Sequence, residues 1–309
     1  MIRLRELGWL IVLGVSAFAA LIFVSGVILG GPLDPPGPPA PTMKTLQEVE
    51  PRTPISALPF TITTSGSYYV TGNLAGVAAS HGITISASNV TLDLRGYTLT
   101  GVGGSLDGIH INGSVATPLA NVMIMNGAVD GWGDDGVAAN IFGEDPGGGL
   151  CCLASAVTVD NMRALNSVGD GINLGVYSIV RNSIASGNDD DGIETSVRGR
   201  IEGNSAFFNT GDGIVGTDGT VIIGNTSKGN GAGGVGAGIA DFGGGDMHIE
   251  GNNVIGNDTG IAIASAGNVI IKNTAATNTA DYTIGAGNTV GPIETAATPL
   301  TNPWANIAY

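Results

Sequence analysis

The stretch Gly187-Asn188-Asp189-Asp190-Asp191-Gly192-Ile193 sets three consecutive carboxylates between turn-forming residues. Two kinds of chemistry use acids grouped this way. A hard cation such as Ca2+ takes oxygen ligands from several carboxylates and turn carbonyls. A pair of acids can also divide glycosidic bond cleavage, one giving a proton and the other taking one. Carboxylates a few ångströms apart repel and raise one another's pKa unless something neutralises them. Asp189, Asp190, Asp191 and Asp212 are the candidate Ca2+ ligands. The structural alternative is that each Asp serves a turn, its side chain accepting a backbone N–H just before glycine.

Two further groups of residues could do chemistry. His81, His110 and His248 lack tight metal-ligand spacing, although Ser80-His81-Gly82 and Asp107-Gly108-Ile109-His110 can bring two of them together. Cys151 and Cys152 are adjacent inside an insertion, Glu144–Ala154. In an oxidising compartment they can close a vicinal disulfide that stiffens the loop; the alternative is two free thiols. No Cys-x-x-Cys is present, so redox catalysis is not implied. The insertion itself is a candidate binding loop, because insertions into stacked repeats collect on one face.

A repeat positions these residues. Gly-Ile, usually preceded by Asp, recurs at Asp107-Gly108-Ile109, Asp170-Gly171-Ile172, Asp191-Gly192-Ile193 and Asp212-Gly213-Ile214. Weaker copies stand at Gly82-Ile83, Gly136-Val137, Gly238-Ile239 and Gly260-Ile261. Gly171, Gly192 and Gly213 are spaced by 21 residues. A second marker, Ile-x-x-Asn, ends at Asn182, Asn204, Asn225, Asn252 and Asn273. Asn209, Asn230, Asn257 and Asn278 follow four of these five residues later. Leucine is too sparse for a leucine-rich repeat, and helical repeats are longer and glycine-poor. The pattern predicts an all-β parallel β-helix with three short strands per coil of about 21–22 residues. Ile172, Ile193, Ile214, Ile239 and Ile261 line one inner face, and Ile179, Ile201, Ile222, Ile249 and Ile270 another. The asparagines stack at the turns. In this register Asp170, Asp191 and Asp212 are equivalent rungs, and Asp189 and Asp190 are extra. Tyr68 and Tyr69 are expected to cover the first coil, and Trp304 and Tyr309 to plug the last.

The coils GNDDDGIETS and IIGNTSKGN resemble the right-handed β-helix repeats of the pectate-lyase-like superfamily, including its carbohydrate-binding and NosD-like members. SNVTLDLRGYTLTG (Ser88–Gly101), the leader GPLDPP and the ending NPWANIAY resemble a group of exported bacterial β-helix proteins. The resemblance implies a right-handed helix and a glycan partner. Lyases of the superfamily combine calcium-bound acids with a base that takes a sugar C5 proton, and its glycosidases use two or three aspartates. Asp189–Asp191 resembles the glycosidases' paired-acid element. Their Gly-His-Gly is absent, and Arg200-Ile201-Glu202 stands in place of Arg-Ile-Lys. Arg181, Arg198 and Arg200 are the nearest bases for a lyase, and each reads as a solvated outward strand residue. The resemblance therefore implies a carbohydrate-interacting or scaffold protein without a complete catalytic set. The alternatives are a polysaccharide lyase, epimerase or glycoside hydrolase, and a self-associating structural protein that forms homo-oligomers.

Composition agrees with a β-helix and narrows the partners. The chain has 309 residues, 52 of them glycine, with 12% charged and a net charge of −15. Arg3 and Arg5 take two of the eleven basic residues, so no patch for a nucleic-acid backbone can be assembled. Residues 1–30 read as a hydrophobic helix, either a cleaved signal peptide or a retained membrane anchor, with Arg3 and Arg5 flanking Trp9–Leu29. Both readings export the remainder to the periplasm, cell surface or medium, with membrane contact through this segment if it is uncleaved. Residues 31–54 read as a Pro-rich linker, 55–294 as the β-helix with its N-terminal cap, and 295–309 as a C-terminal cap.

Overall fold

The computed structural model describes residues 52–309, apart from 115–116, 140–142, 145–149, 152–153, 232–233, 235 and 296–301. The candidate signal or anchor, most of the Pro-rich linker, and Cys152 of the candidate disulfide lie outside the described residues. Among the described residues no helix is long and apolar enough to cross a membrane.

The described chain is a parallel β-helix. A first ladder stacks ten strands, from Phe60–Ile62 through Ile83–Ile85, Ile109–Ile111, Val137–Ala139, Ile172–Leu174, Ile193–Thr195 and Ile214–Gly216 to Ala280–Ile284. A second ladder includes Ile179–Arg181, Arg200–Glu202, Val221–Ile223, His248–Glu250 and Val269–Ile271. A third includes Ile184–Ser186, Ser205–Phe207, Thr226–Lys228, Asn253–Ile255 and Thr274–Ala276. In the earlier coils Leu119–Asp130 and Ala154–Leu165 run unbroken through both of these ladders. The Gly143–Glu144 and Leu150–Cys151 strands of the insertion pair antiparallel just after the first ladder.

Side-chain alternation divides each strand between core and solvent. Ile172, Ile193, Ile214, Ile239 and Ile261 are fully buried in register, as expected. The second inner file is Val180, Ile201, Ile222, Ile249 and Ile270. Ile179 is therefore not its first member. It pairs with Arg200 on the outward side and is only half-buried. The Ile-x-x-Asn match is slipped by one residue in that coil, and a one-residue slip turns a side chain to the opposite face.

Two files of buried amides close the turns. In one, Asn204 donates both its backbone N–H and its Nδ2 to Asn225 Oδ1 (2.8 and 3.1 Å), and Asn225 repeats this to Asn252 (2.9 and 3.0 Å). Asn273 and Asn306 continue it. Ser183, not Asn182, begins it, and Asn182 is exposed and bonds Asp160. The second file runs from Ser167 through Asn188, Asn209, Asn230 and Asn257 to Asn278. Each rung satisfies backbone groups that would otherwise be orphaned inside the coil.

The repeated Gly before Ile has a packing reason. A Cβ on Gly171 would stand 2.6 Å from the Gly192 carbonyl oxygen and 2.6 Å from Asn188 Nδ2. No side chain fits there, so Gly recurs.

At the ends, Tyr68 and Tyr69 are buried as expected, and the guanidinium groups of Arg52 and Arg95 lie 5.0 Å from the Tyr69 ring centre. Trp304 and Tyr309 are not plugs, since both are more than half exposed. The strand Asn306–Ala308 pairs with Thr274–Ala276 and turns Asn306 inward, which leaves Trp304 outside beneath Lys272 at 4.4 Å.

Candidate functional site

The outward middle residues of the first ladder read Thr84, His110, Ala138, Asn173, Glu194, Val215 and Ala240 in register. Beside them runs the file of residues that precede the repeated glycine. Its members bond from coil to coil. The backbone N–H groups of Asp135, Asp170, Asp191, Asp212 and Ala237 each donate to the Oδ1 of the aspartate one coil earlier, at 2.5–3.1 Å. The turn role expected for these aspartates is thus an inter-coil bond. Asp191 is a rung, tied to Asp170 on one side and to Asp212 on the other. His81 occupies the same position in its own coil, and its Nδ1 accepts the Asp107 N–H at 3.2 Å. That bond places the His81 ring proton on Nε2.

The file and the outward ladder together wall an open groove of about 650 Å³. His81, Asp107, His110, Asp134, Asp135, Asp170, Asn173, Asp190, Asp191 and Glu194 line it, with Phe242 at its edge, 77% exposed. A neighbouring cavity of about 730 Å³ on the same face has Ala240 and Ala262 among its lining, together with Asp212, Asp241 and Asp258. No Lys or Arg appears among the described residues lining either cavity.

Within the groove two clusters stand out. Asp170, Asp190 and Asp191 offer carboxylate oxygens within 4.8 Å of one another and could hold a metal ion. Of the candidate Ca2+ ligands, this cluster joins Asp190 and Asp191 to Asp170. Asp189 is exposed and lies outside it, and Asp212 sits one coil further on, its Oδ1 taken by Ala237. Asn173 donates to Asp170 Oδ2 at 2.6 Å and reaches Glu194 Oε2 at 3.4 Å. The second cluster is His81, Asp107 and His110. His110 Nδ1 lies 2.7 Å and His81 Nδ1 3.2 Å from Asp107 Oδ2, and the two imidazoles stack with centroids 4.1 Å apart. His248 stands on the second ladder beside Glu250, apart from the groove. Arg181 pairs there with Asp160, Arg200 with Glu202, and Arg198 reaches the Tyr177 hydroxyl.

Burial changes the electrostatics of these acids. Removal from water disfavours the charged form. It pushes Asp135 up to about 8, with Asp170 adding repulsion. It pushes Asp170 and Asp191 to about 7, opposed in each by the N–H of the next rung. Glu194 is raised to about 7 by burial and then by Asp191 and Asp190. Asp134 and Asp212 are raised as well, chiefly by burial. His81 is lowered by burial and by the neighbouring His110.

These shifts fix a pH dependence. A carboxyl whose folded pKa lies above its unfolded value binds its proton more tightly when folded. Its contribution is fully present below the unfolded pKa and is lost as pH rises through the folded value. The loss here spans about pH 4 to 8. The melting temperature at low ionic strength is expected to fall between pH 5.5 and 8.5 by on the order of 5 °C. A flat profile over that range would show these carboxyls to be solvated.

Glu194, Asp134, Asn173 and Phe242 belong to no motif of their own that would mark them as site residues. The register held a signal for two of them, because the residue after the repeated Ile points outward, giving His110, Asn173 and Glu194 in turn.

No protein-family model matches the sequence, and no curated protein matches it. Solved structures do. The A-module of the Azotobacter vinelandii mannuronan C-5 epimerase AlgE6 superposes with a TM-score of 0.52 at 16% identity, covering 78% of this chain and 75% of that one. A mutant tailspike protein of E. coli bacteriophage HK620 gives 0.50 at 15% identity, covering 79% and 48%. Another HK620 tailspike mutant, in complex with a pentasaccharide, gives 0.50 at 13% identity, covering 79% and 49%. The chain thus spans about half the length of the tailspikes it matches. At these identities the likeness is one of fold, the right-handed parallel β-helix.

Proposed function

We propose that this is a carbohydrate-interacting β-helix protein that seats a polysaccharide in the groove of the first ladder and cleaves it by acid–base chemistry. The observation that carries this reading is the carboxyl set Asp170, Asp191 and Glu194, gathered in an open groove with each acid pushed to about 7. At neutral pH such a set holds both a proton to give and an ionised oxygen to receive one. Hydrolysis of a glycosidic bond needs those two groups.

Glu194 suits the proton donor. It sits in the middle of the outward ladder and is held by one long bond from Asn173. Asp170 and Asp191 each tie Oδ1 to the next coil, which leaves Oδ2 of Asp191 as the base or nucleophile. The exposed Phe242 ring offers an apolar face on which a sugar can stack. With no cationic side chain in the described lining, an uncharged glycan fits better than a polyuronate. The tailspike complex with a pentasaccharide supports glycan binding on this fold. Export, expected from the N-terminal segment, suits a polymer substrate.

A second reading rests on Asp170, Asp190 and Asp191. A calcium ion held there would neutralise a uronate carboxylate and turn the groove toward lyase or epimerase chemistry. The fold shared with the AlgE6 A-module favours keeping this reading.

Both are tested on one panel of neutral and uronate polysaccharides, with millimolar Ca2+ or with chelator. New reducing ends on a neutral polymer are expected, and Glu194→Gln should lower turnover about 10²–10⁴-fold while binding persists. Unsaturated or epimerised product from a uronate, formed only with Ca2+, would replace the first reading by the second. Binding with no turnover on any polymer would reduce the proposal to a glycan-binding scaffold.

A further inference from the structure

The cluster at the other end of the groove, His81, Asp107 and His110, takes no part in that chemistry. We propose that these three residues form a binding site for a borderline first-row divalent metal ion, zinc or one of its neighbours, distinct from the aspartate cluster two coils away.

The donor set is the first ground. Two imidazoles and one carboxylate suit zinc, nickel, copper and iron, whereas Ca2+ and Mg2+ are taken by oxygen alone. Spacing is the second. Two donor atoms at about 2.0–2.1 Å from one tetrahedral metal lie roughly 3.3 Å apart. Asp107 Oδ2 is already 2.7 Å from His110 Nδ1 and 3.2 Å from His81 Nδ1, and the three donor atoms lie within 4.8 Å of one another.

The lone pairs are the third ground. The one lone pair of His81 Nδ1 now accepts a long 3.2 Å bond from the Asp107 amide, and a metal ion would take that lone pair over and leave the amide to water. His110 Nδ1 points at Asp107 Oδ2, and a metal ion would replace the proton shared there. The stacked rings must turn about their Cβ–Cγ bonds to bring each nitrogen in line. His81 has room to do so, because it lies in irregular chain just before the Ile83–Ile85 strand with its side chain 27% exposed. The last ground is support from behind. Asp107 is buried, and its other oxygen accepts the Asp135 N–H at 3.1 Å, which holds the carboxylate in place. Three protein ligands leave at least one position open to the groove for water or a sugar hydroxyl.

The test uses the protein freed of metal by chelation and titrated with Co2+ alone, followed by Zn2+ in competition. The expected result is uptake of one equivalent with the visible absorption of nitrogen-ligated, low-coordinate Co2+, displaced by Zn2+. His81→Asn and His110→Gln should each weaken uptake at least tenfold, with unchanged melting of the metal-free protein. Asp107→Asn keeps an oxygen for the Asp135 amide and should weaken it likewise. Asp190→Asn should leave uptake intact. Absence of the absorption in the parent overturns the proposal whatever the variants do. Uptake lost in Asp190→Asn but kept in the histidine variants places the ion in the aspartate cluster and also overturns it.

Discussion

Ile222→Asp is expected to abolish the cooperative unfolding transition. Ile222 is fully buried between Ile201 and Ile249 in the second inner file. A carboxylate there would have no partner, and leaving a charge unpaired in an apolar stack costs far more than the few kcal/mol by which a domain of this kind is stable. The neighbouring Val221 provides the control. It points outward between Arg200 and His248, so Val221→Asp places the same charge beside two basic residues. The first variant should be aggregated or molten and the second folded, as read by circular dichroism and thermal melting. If Ile222→Asp melts like the parent, the inner file has been assigned to the wrong face.

The second large effect is expected at Trp132. Among the described residues it is the largest fully buried side chain, and its Nε1 donates to the Leu99 carbonyl at 3.0 Å. Its ring lies against three glycines, Gly82 and Gly108 of the repeated file and Gly76. A Cβ built on Gly76, Gly82 or Gly108 would come within 2.6–2.9 Å of it. Trp132 stands one coil before Ser167 and two before Asn188, at the position that asparagine fills in later coils. Trp132→Ala should destabilise by about 3–5 kcal/mol in denaturant unfolding, because glycine backbone tied into the ladders cannot collapse into the vacated space. A loss under about 1 kcal/mol would mean that the first coils close without the ring.

These residues also show what could be read in the sequence. Gly-Ile and Ile-x-x-Asn are legible because stacking forces the same residue type onto each coil. The glycine has no room for Cβ, and the asparagine must serve the same backbone groups in every turn. The slip at Ile179 shows the limit, since Ile-Val offers two candidate registers and only pairing with Arg200 and Ile201 decides between them. The groove was harder to see. Its residues come from coils whose steps along the aspartate file are 26, 28, 35 and 21 residues, so equal spacing fails where the site is assembled. The meeting of His81 and His110 is legible in Ser80-His81-Gly82 and Asp107-Gly108-Ile109-His110, whereas the seat of His81 in the aspartate file is not. His81 replaces aspartate in a file recognised by its aspartates, and Nδ1 does there what Oδ1 does elsewhere.

The asparagine files carry one more consequence. Each side-chain amide from Asn188 to Asn257 donates one Nδ2 hydrogen to the Oδ1 one coil on and the other back to a backbone carbonyl, while its own Oδ1 accepts from the coil before. Head-to-tail dipoles of this kind add, as peptide dipoles do along an α-helix. The forward-donating amides therefore set the positive pole of this file toward its C-terminal coils, although net sheet dipoles are usually small. At that end Asn278 has no further asparagine of the file to donate to, and besides the Val254 carbonyl it has one other partner. It donates to the carboxylate of Asp281 at 2.9 Å, which gives the file an anionic terminus where its positive pole emerges.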